Sequence, residues 1–293
     1  MTNTDVHVTW REMVKRTQAE VGERNVAQWL CEHASGCDSG EFTDILDELV
    51  SERSAQHLQS MLARYAAGEP LQYVMGRWAF RRLDLLVDSR VLIPRPETEL
   101  LVEHVTRYAL QKIRDVGRGV TIADLGTGSG AVGLSLLHEL PFESAEVWMT
   151  DVSEDALHVA RANAAGVGRN AVGARFGHGH WYAALSEDLR GSLDAIVSNP
   201  PYIAAGDPLV GDSVLKWEPH NALFAGADGL SDLRVLVSGA SDWLVPGGLL
   251  AVEMGFTQGT EVSQLFTSAG FTNVSVHKDL AGLDRFVTGL APR

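Results

Sequence analysis

A glycine-rich segment follows a predicted strand and precedes a predicted helix in the second half of the chain. Its residues are Asp124, Leu125, Gly126, Thr127, Gly128, Ser129 and Gly130. Glycine has no Cβ, so this loop can turn sharply and let a ligand approach its backbone, while the next helix offers free N–H groups. The segment lacks both the third spacing of a dinucleotide fingerprint and the Lys of a P-loop. The segment therefore predicts a loop that binds a cofactor other than NAD or ATP. The alternative is a glycine turn that only packs the strand against the helix.

The chain after Val120 alternates apolar strands with amphipathic helices, which is typical of an α/β fold with parallel strands. The predicted strands cover residues 120–123, 147–150, 174–176, 195–198, 249–253, 274–277 and 286–290. The predicted helices cover residues 131–139, 154–165, 230–243 and 258–269, and a further helix is expected after Pro96. Because parallel strands end at one edge of a sheet, where ligands bind, we expect the site residues directly after these strands.

Residues 1–76 show helical periodicity and little else. Two stripes at helical spacing are Phe42, Ile45, Leu46, Leu49 and Val50, then Leu58, Met61, Leu62, Tyr65 and Ala66. Gly68 and Pro70 form a stop signal. These patterns predict a small helical bundle that contains no cluster indicating chemistry. Such a bundle is either a docking module or a structural cap.

Charge and composition limit the classes of partner. The chain has 38 acidic and 24 basic residues, a net charge of -14, which disfavours broad binding to a phosphate backbone. A predicted hairpin connector, residues 77–95, is locally basic and favours either an acidic or RNA partner or a solvated charged face. Its arginines are Arg77, Arg81, Arg82, Arg90 and Arg95. Cys31 and Cys37 are expected to be free thiols, and without a membrane span or signal peptide pattern we expect a cytoplasmic protein.

Asp151 follows the second predicted strand of the sheet, 27 residues after Asp124. A carboxylate at this place can accept hydrogen bonds from the two hydroxyls of a ribose. The alternative is that Asp151 caps the next helix, but Ser153 is equally suited to that role. With the glycine loop, Asp151 therefore favours a cofactor that contains an adenosyl group.

The motif Asn199-Pro200-Pro201-Tyr202 follows the predicted strand 195–198. Proline has no N–H, so this turn offers carbonyl oxygens and the Asn199 side-chain oxygen as acceptors. Such a site is suited to an NH2 group, and Tyr202 is able to stack on a planar group. The alternative is a proline turn without a ligand.

These motifs together resemble known methyltransferases. The glycine loop with Asp151 is similar to the S-adenosylmethionine site of the Rossmann-like class I methyltransferases, and NPPY to the signature of those that methylate amide or exocyclic amino nitrogens. Three further segments resemble the release factor glutamine methyltransferase family, known as PrmC or HemK. They are Gly68 to Tyr73 (GEPLQY), Leu92 to Glu99 (LIPRPETE) and Glu218-Pro219.

The resemblance implies a helical substrate-docking domain (1–76), the hairpin connector (77–95) and an S-adenosylmethionine-dependent methyltransferase domain (96–293). It implies methyl transfer to the glutamine side-chain nitrogen in the Gly-Gly-Gln loop of class 1 peptide chain release factors. The implied cofactor-binding residues are Asp124, Gly126, Thr127, Gly128, Ser129, Gly130, Asp151, Trp181 and Asn199. The implied substrate-binding residues are Asn199, Pro200, Pro201 and Tyr202, of which Asn199, Pro200 and Tyr202 are expected to be catalytic.

The sequence departs from the family pattern at two positions. His180 precedes Trp181, and Trp217 precedes Glu218 where a Phe is expected. No metal is expected at His178 and His180, because two histidines without a third ligand are typical of a surface.

Two other functions remain open at this point. An NPPY enzyme acting on adenine in DNA or RNA would share the loop and the motif, but it would have to bind nucleic acid with an acidic chain. A non-catalytic adaptor would keep cofactor binding without transferring a methyl group. For the enzyme we expect direct in-line transfer, with Asn199 and the Pro200 carbonyl orienting the amide hydrogens.

Overall fold

A computed structural model describes residues 8–292 of the protein, and its contacts divide the chain into two compact units between Gly76 and Arg77. The first unit holds α1 (Trp10–Val21), α2 (Arg24–Ser35), α3 (Ser39–Asp44), α4 (Glu52–Ala66) and α5 (Leu71–Met75). The helices of the second unit are α6 (Thr98–Val116), α7 (Ala131–Glu139), α8 (Glu154–Val167), α9 (Asp212–Trp217), α10 (Ser231–Gly239) and α11 (Gly259–Ser268). Its strands are β1 (Arg77–Phe80), β2 (Leu83–Leu86), β3 (Val120–Leu125), β4 (Ala145–Asp151), β5 (Ala174–His178), β6 (Leu193–Ser198), β7 (Leu244–Glu253), β8 (Thr272–Lys278) and β9 (Asp284–Leu290). In the part of the chain described, no helix is long and apolar enough to cross a membrane.

The helical unit packs around its own apolar core. Helix α1 begins with a capping box, in which the Thr9 side chain accepts from the Glu12 N–H and the Glu12 carboxylate accepts from the Thr9 N–H. The stripes of α1, α2 and α4 bury Trp10, Leu30 and Met61. The apolar residues at helical spacing in α1, α2 and α4 therefore form the core of this unit, as the sequence predicts.

The predicted helical stripe from Phe42 to Val50 is wrong beyond Asp44, where α3 ends. The backbone then turns to pair with the segment before α1, and the Val50 N–H donates to the Val8 carbonyl at 2.9 Å. Leu49 is 57% exposed instead of buried in this stripe. Pairing with a segment distant in sequence has overridden the local helical pattern.

The second unit contains a seven-stranded sheet of strand order β5-β4-β3-β6-β7-β9-β8. Strands β3 to β7 pair in parallel, and β3 and β6 are almost fully buried. The predicted α/β class with an N-terminal helical region is confirmed. The chain winds outward in opposite directions from β3 and β6, and this switch point at their carboxyl ends is where such sheets bind ligands.

The last two strands depart from the expected parallel arrangement. Strand β9 pairs antiparallel with both β7 and β8. Only the turn between Lys278 and Asp284 joins β8 to β9, which is too short for a crossover connection. The two strands therefore form a hairpin at the edge of the sheet.

The hairpin β1–β2 is fastened to the glycine loop by one side chain. Asn163 on α8 accepts from the Leu86 N–H at 2.7 Å and donates to the carbonyls of Leu86 and Ser129 at 3.0 and 2.8 Å. A single buried amide thus joins β2, α8 and the loop, because its oxygen and its NH2 group serve different partners.

The arginines of residues 77–95 are mostly paired with carboxylates. The ion pairs are Arg77–Asp84, Arg81–Glu139, Arg90–Asp88 and Arg95–Glu218. The Arg81 and Arg95 side chains are only 19% and 32% exposed. This pairing favours a charged face neutralised within the fold over a basic surface for RNA.

Candidate active site

The glycine loop turns through left-handed backbone conformations. Gly126, Gly128 and Gly130 have φ of 74°, 56° and 83°, which side chains with a Cβ rarely adopt. The N–H groups of Gly126 and Thr127 both donate to the Thr150 carbonyl, at 2.9 and 2.8 Å. A Cβ built on Gly128 would meet no atom within 4 Å, so the loop leaves open space at its middle.

Asp124, near the end of β3, holds this loop in place by hydrogen bonds. Its Oδ2 accepts from the Thr127 hydroxyl at 2.6 Å and from the Gly133 N–H at 2.9 Å. Burial raises the pKa of Asp124 to about 6, and the two donors oppose that rise. The carboxylate therefore holds the loop to the first turn of α7.

Asp151, at the end of β4, contacts the middle of the glycine loop. Its Oδ2 accepts from the Gly128 N–H and its Oδ1 from the Ser153 N–H, both at 2.9 Å. Burial raises the pKa of Asp151. Ser153 caps α8 by accepting from the Ala156 N–H, so the cap that the sequence offered as an alternative for Asp151 is made by Ser153.

A cavity of about 350 Å³ opens above the loop. The predicted cofactor residues that line it are Asp124, Gly126, Thr127, Gly128, Ser129, Asp151, Trp181 and Asn199. Gly130 is not among its lining residues. A Cβ there would stand 3.0 Å from Leu134 and 3.4 Å from Ala160, so Gly130 serves the close packing of α7 and α8.

Trp181 lies over the glycine loop. A Cβ on Gly126 would stand 3.1 Å from the Trp181 ring, and Trp181 Nε1 donates to Asp232 Oδ1 at 3.1 Å. Asp232, in the first turn of α10, also lines the cavity and was not predicted from the sequence. It has no motif around it, and only the fold brings it to Trp181.

The two histidines before Trp181 have separate surroundings. His180 is exposed beside the cavity, with its ring centroid 5.6 Å from that of Trp181. His178 makes a hydrogen bond of 3.0 Å to the Val152 carbonyl. Across residues 8–292, no three side chains of His, Cys, Asp or Glu are grouped so as to hold a metal ion.

The NPPY motif lies between this cavity and a second one of about 400 Å³. Pro200 and Tyr202 line the second cavity, Pro201 lines the first, and Asn199 lines both. The structure therefore brings the predicted substrate residues to the junction of the two cavities. A group bound in one cavity can meet a group bound in the other beside Asn199.

Asn199 belongs to a buried polar network that the sequence analysis missed. Its Nδ2 donates to Thr98 Oγ1 at 3.2 Å, and Thr98 Oγ1 donates to Glu253 Oε2 at 2.7 Å. The Tyr202 hydroxyl donates to Glu253 Oε1 at 3.4 Å. Burial raises the pKa of Glu253 to about 7 and also raises the pKa of Tyr202. Glu253 ends a predicted strand, and this position at the ligand edge was the one available signal.

A second buried carboxylate, Glu218, joins two segments beside the cavities. Its Oε2 accepts from the Ile93 N–H at 3.1 Å, and its Oε1 accepts from Arg95 Nη2 at 2.5 Å. The LIPRPETE segment and the Glu218-Pro219 pair, far apart in the sequence, thus contact each other. At the neighbouring Trp217, no residue in the described part of the chain accepts from its buried Nε1.

Comparisons with known proteins agree with this arrangement. The PrmC N-terminal domain family matches residues 10–76, and the Methyltransferase small domain family matches residues 96–216. A release factor glutamine methyltransferase of Xylella fastidiosa is 42% identical over 92% of this chain and 94% of its own length. Relatives of the same name from Burkholderia pseudomallei and Neisseria gonorrhoeae are 39% and 41% identical, over 91% and 83% of this chain and 91% and 84% of their own lengths. The chain therefore belongs to the release factor glutamine methyltransferase family, a family of S-adenosylmethionine-dependent methyltransferases.

Proposed function

We propose that this protein methylates the side-chain amide nitrogen of the glutamine in the Gly-Gly-Gln motif of class 1 peptide chain release factors. The observation that carries the proposal is the position of Asn199 at the junction of two cavities. The first cavity is lined by residues that we expect to bind the cofactor. The second cavity is lined by Pro200 and Tyr202. The names of relatives that match most of the chain support the same substrate.

The residues that line the first cavity support S-adenosylmethionine as its ligand. The open space at Gly128 lets a ligand approach the loop backbone, and Asp151 and Asp232 border the cavity with carboxylates suited to hydroxyls and to positive charge. We assign Asp151 to the ribose and the loop from Gly126 to Ser129 to the methionine part. Trp181, held by Asp232, flanks the adenine. Asp124 acts through the loop that it closes.

The residues of NPPY orient the glutamine amide. An amide nitrogen is a poor nucleophile because its lone pair is delocalised into the carbonyl. Asn199 Oδ1 and the Pro200 carbonyl accept the two amide hydrogens, which fixes the nitrogen and favours loss of a proton as the nitrogen forms its new bond. The prolines provide no N–H that would compete for these acceptors. When bound, S-adenosylmethionine supplies an activated methyl group on its sulfonium sulfur.

Tyr202 borders the glutamine side of the site. Its hydroxyl is tied to Glu253, so the ring has a fixed place in the wall of the second cavity. A fixed ring shields one face of the amide from water.

The alternative substrate, adenine in DNA or RNA, is not favoured. The net charge of -14 opposes approach to a phosphate backbone, and four of the arginines in residues 77–95 are neutralised by carboxylates. Among the described residues, the arginines of residues 77–95 therefore offer little unpaired positive charge for binding DNA or RNA.

The partner and place of action follow from the proposed substrate. Release factors are large proteins that act on ribosomes, so we propose a cytoplasmic enzyme that does not act on nucleic acid itself. The helical unit before Arg77 is proposed to dock the release factor. It has its own core, and among its described residues no three side chains of His, Cys, Asp or Glu are grouped so as to hold a metal ion.

Transfer of label from methyl-labelled S-adenosylmethionine tests this function. Purified release factor, the same protein with Gly-Gly-Gln changed to Gly-Gly-Ala, duplex DNA and ribosomal RNA are offered in parallel. We expect label only in the unchanged release factor. Label in either nucleic acid, or equal label in the Gln→Ala protein, would contradict the proposal.

A further inference from the structure

A chain of polar side chains connects the Asn199 carboxamide to the buried Glu253 carboxylate through Thr98. The distances are 3.2 Å from Asn199 Nδ2 to Thr98 Oγ1 and 2.7 Å from Thr98 Oγ1 to Glu253 Oε2. Thr98 and Glu253 are 3% and 2% exposed. The three residues come from the start of α6, the end of β7 and the turn after β6, so only the folded unit brings them together.

The chemistry of these groups fixes the direction of each hydrogen bond. An ionised carboxylate can only accept, so Thr98 gives its single hydroxyl hydrogen to Glu253. The Thr98 oxygen must then accept from Asn199, and only the NH2 end of a carboxamide is able to donate. The oxygen end of Asn199 is consequently turned away from Thr98. Asn199 lines both cavities, where that oxygen is available to a ligand.

We propose that Thr98 and Glu253 are positioning residues, which hold the Asn199 carboxamide with its oxygen towards the substrate. The inference rests on the proposed function, since the oxygen is the expected acceptor of a glutamine amide hydrogen. Thr98 also lines the first cavity, but its hydroxyl hydrogen is engaged by Glu253, so its effect on the substrate is exerted through Asn199. We call the two hydrogen bonds that link Glu253 through Thr98 to Asn199 the relay. Without the relay, the two ends of the Asn199 carboxamide are free to exchange places, and an NH2 group would then face the glutamine NH2 group.

The relay depends on the charge of Glu253. The pKa of Glu253 is raised to about 7: burial and the Glu97 carboxylate raise it, while the Thr98 and Tyr202 hydroxyls and the Arg285 guanidinium lower it. Arg285 is itself paired with Asp279 at 2.7 Å. A protonated Glu253 is able to donate to Thr98, which frees the Thr98 hydrogen for the Asn199 oxygen and reverses the carboxamide. We therefore expect kcat, measured at saturating cofactor, to rise as pH increases through 7.

Substitutions at two threonines of α6 test the relay in the full-length protein. Thr98→Val removes the hydroxyl at nearly constant shape, and we expect kcat to fall by about tenfold or more with little change in cofactor affinity. Thr98→Ser keeps the hydroxyl and is expected to restore most of the activity. Thr106→Val is the matched control, because the buried Thr106 hydroxyl has no hydrogen-bond partner among residues 8–292. Its kcat is expected to match the wild type.

A readout without substrate separates the relay from the proposed function. In protein labelled with ¹⁵N at asparagine, the Asn199 NH2 signals are assigned by their loss from Asn199→Ala. We expect slow hydrogen exchange for one of these two hydrogens in the wild type and in Thr98→Ser, and fast exchange in Thr98→Val. Glu253→Gln should remove the rise of kcat through pH 7.

The kinetic and exchange measurements distinguish a failure of the relay from a failure of the proposed substrate. If Thr98→Val matches Thr106→Val in both kcat and NH2 exchange, the relay is refuted while the proposed function stands. If the wild type shows the expected exchange pattern but methylates no release factor, the carboxamide is oriented as inferred and the proposed substrate is wrong.

Discussion

Carboxylates at or next to the ends of three sheet strands hold different parts of the site. Asp124 closes the glycine loop, Asp151 borders the first cavity, and Glu253 holds Thr98. Burial raises the pKa of each, and each accepts at least two hydrogen bonds that favour its charged form. Hydrogen-bond donors of the fold therefore oppose the rise in pKa that burial causes at each of these carboxylates.

Substitutions of Asn199 and Asp151 should affect different kinetic quantities. Asn199→Ala removes an acceptor needed during transfer, so we expect kcat to fall about 100-fold with the cofactor Kd changed less than about threefold. Asp151→Ala removes the acceptor for the ribose hydroxyls, so the cofactor Kd should rise about tenfold or more. Calorimetry with S-adenosylmethionine and steady-state kinetics with release factor measure the two effects. Full activity of Asn199→Ala would remove it from the site, and an unchanged Kd for Asp151→Ala would do the same for Asp151.

The raised pKa values of Asp124 and Glu253, about 6 and about 7, predict how stability depends on pH. The folded protein binds these two protons more tightly than the unfolded chain, whose carboxyls titrate near about 4. Their contribution to the free energy of unfolding is therefore largest below about pH 4, falls as pH rises to 7 and is constant above it. Denaturant unfolding at pH 5 and 8 measures the loss, which should be smaller in Glu253→Gln than in the wild type. An equal loss in both proteins would contradict the raised pKa of Glu253.

At the scale of elements, the sequence was most informative where a strand, a loop and a helix follow each other directly. The predicted helix over residues 131–139 has the observed bounds of α7, because the glycine loop sets its start and Leu140 leaves the helical conformation. The strands of the sheet begin and end within two residues of their predicted positions, except that β7 begins five residues earlier, at Leu244. Local patterning suffices in this region because each element meets neighbours of the expected kind.

Elements that depend on distant partners were not predictable in this way. Helix α3 stops at Asp44 because residues beyond it pair with the segment before α1. The roles of Thr98 and Glu253 depend on contacts across 155 positions of sequence, which no spacing reveals. The antiparallel direction of β9 was predictable in principle, since the gap before it is too short for a crossover.

The hydrogen bonds of Glu218 with Ile93 and Arg95, here called the Glu218 brace, should stabilise the second unit. Glu218→Ala leaves the Arg95 guanidinium and the Ile93 N–H without their acceptor, and we expect a loss of about 2 kcal/mol in the free energy of unfolding. The matched control is Glu103→Ala, whose ion pair with Arg107 lies on the surface and should contribute less than about 0.5 kcal/mol. Denaturant unfolding compares the two variants. Equal losses would show that the brace contributes no more than a surface pair.

At the scale of the whole molecule, the two units have different expected roles. The second unit carries both cavities and every predicted site residue. The helical unit has capped helices and its own core, but its described residues contribute nothing to the cavities. We propose that this unit docks the release factor, the alternative being a structural cap.

Deleting residues 1–76 should separate docking from chemistry. We expect the KM for intact release factor to rise by about tenfold or more, because contacts outside the Gly-Gly-Gln loop are lost. The KM for a short Gly-Gly-Gln peptide should change less than about twofold. Cofactor affinity measured by calorimetry checks that the remaining chain is folded. Equal changes in KM for protein and peptide would contradict a docking role.

In the proposed reaction, the amide nitrogen of one glutamine receives the methyl group. The most direct measurement is tandem mass spectrometry of a class 1 release factor after incubation with the enzyme and S-adenosylmethionine. We predict one added methyl group, on the side-chain nitrogen of the Gly-Gly-Gln glutamine, and none with Asn199→Ala. A methyl group on any other residue, or an unmodified glutamine after incubation with folded enzyme that binds the cofactor, would contradict it.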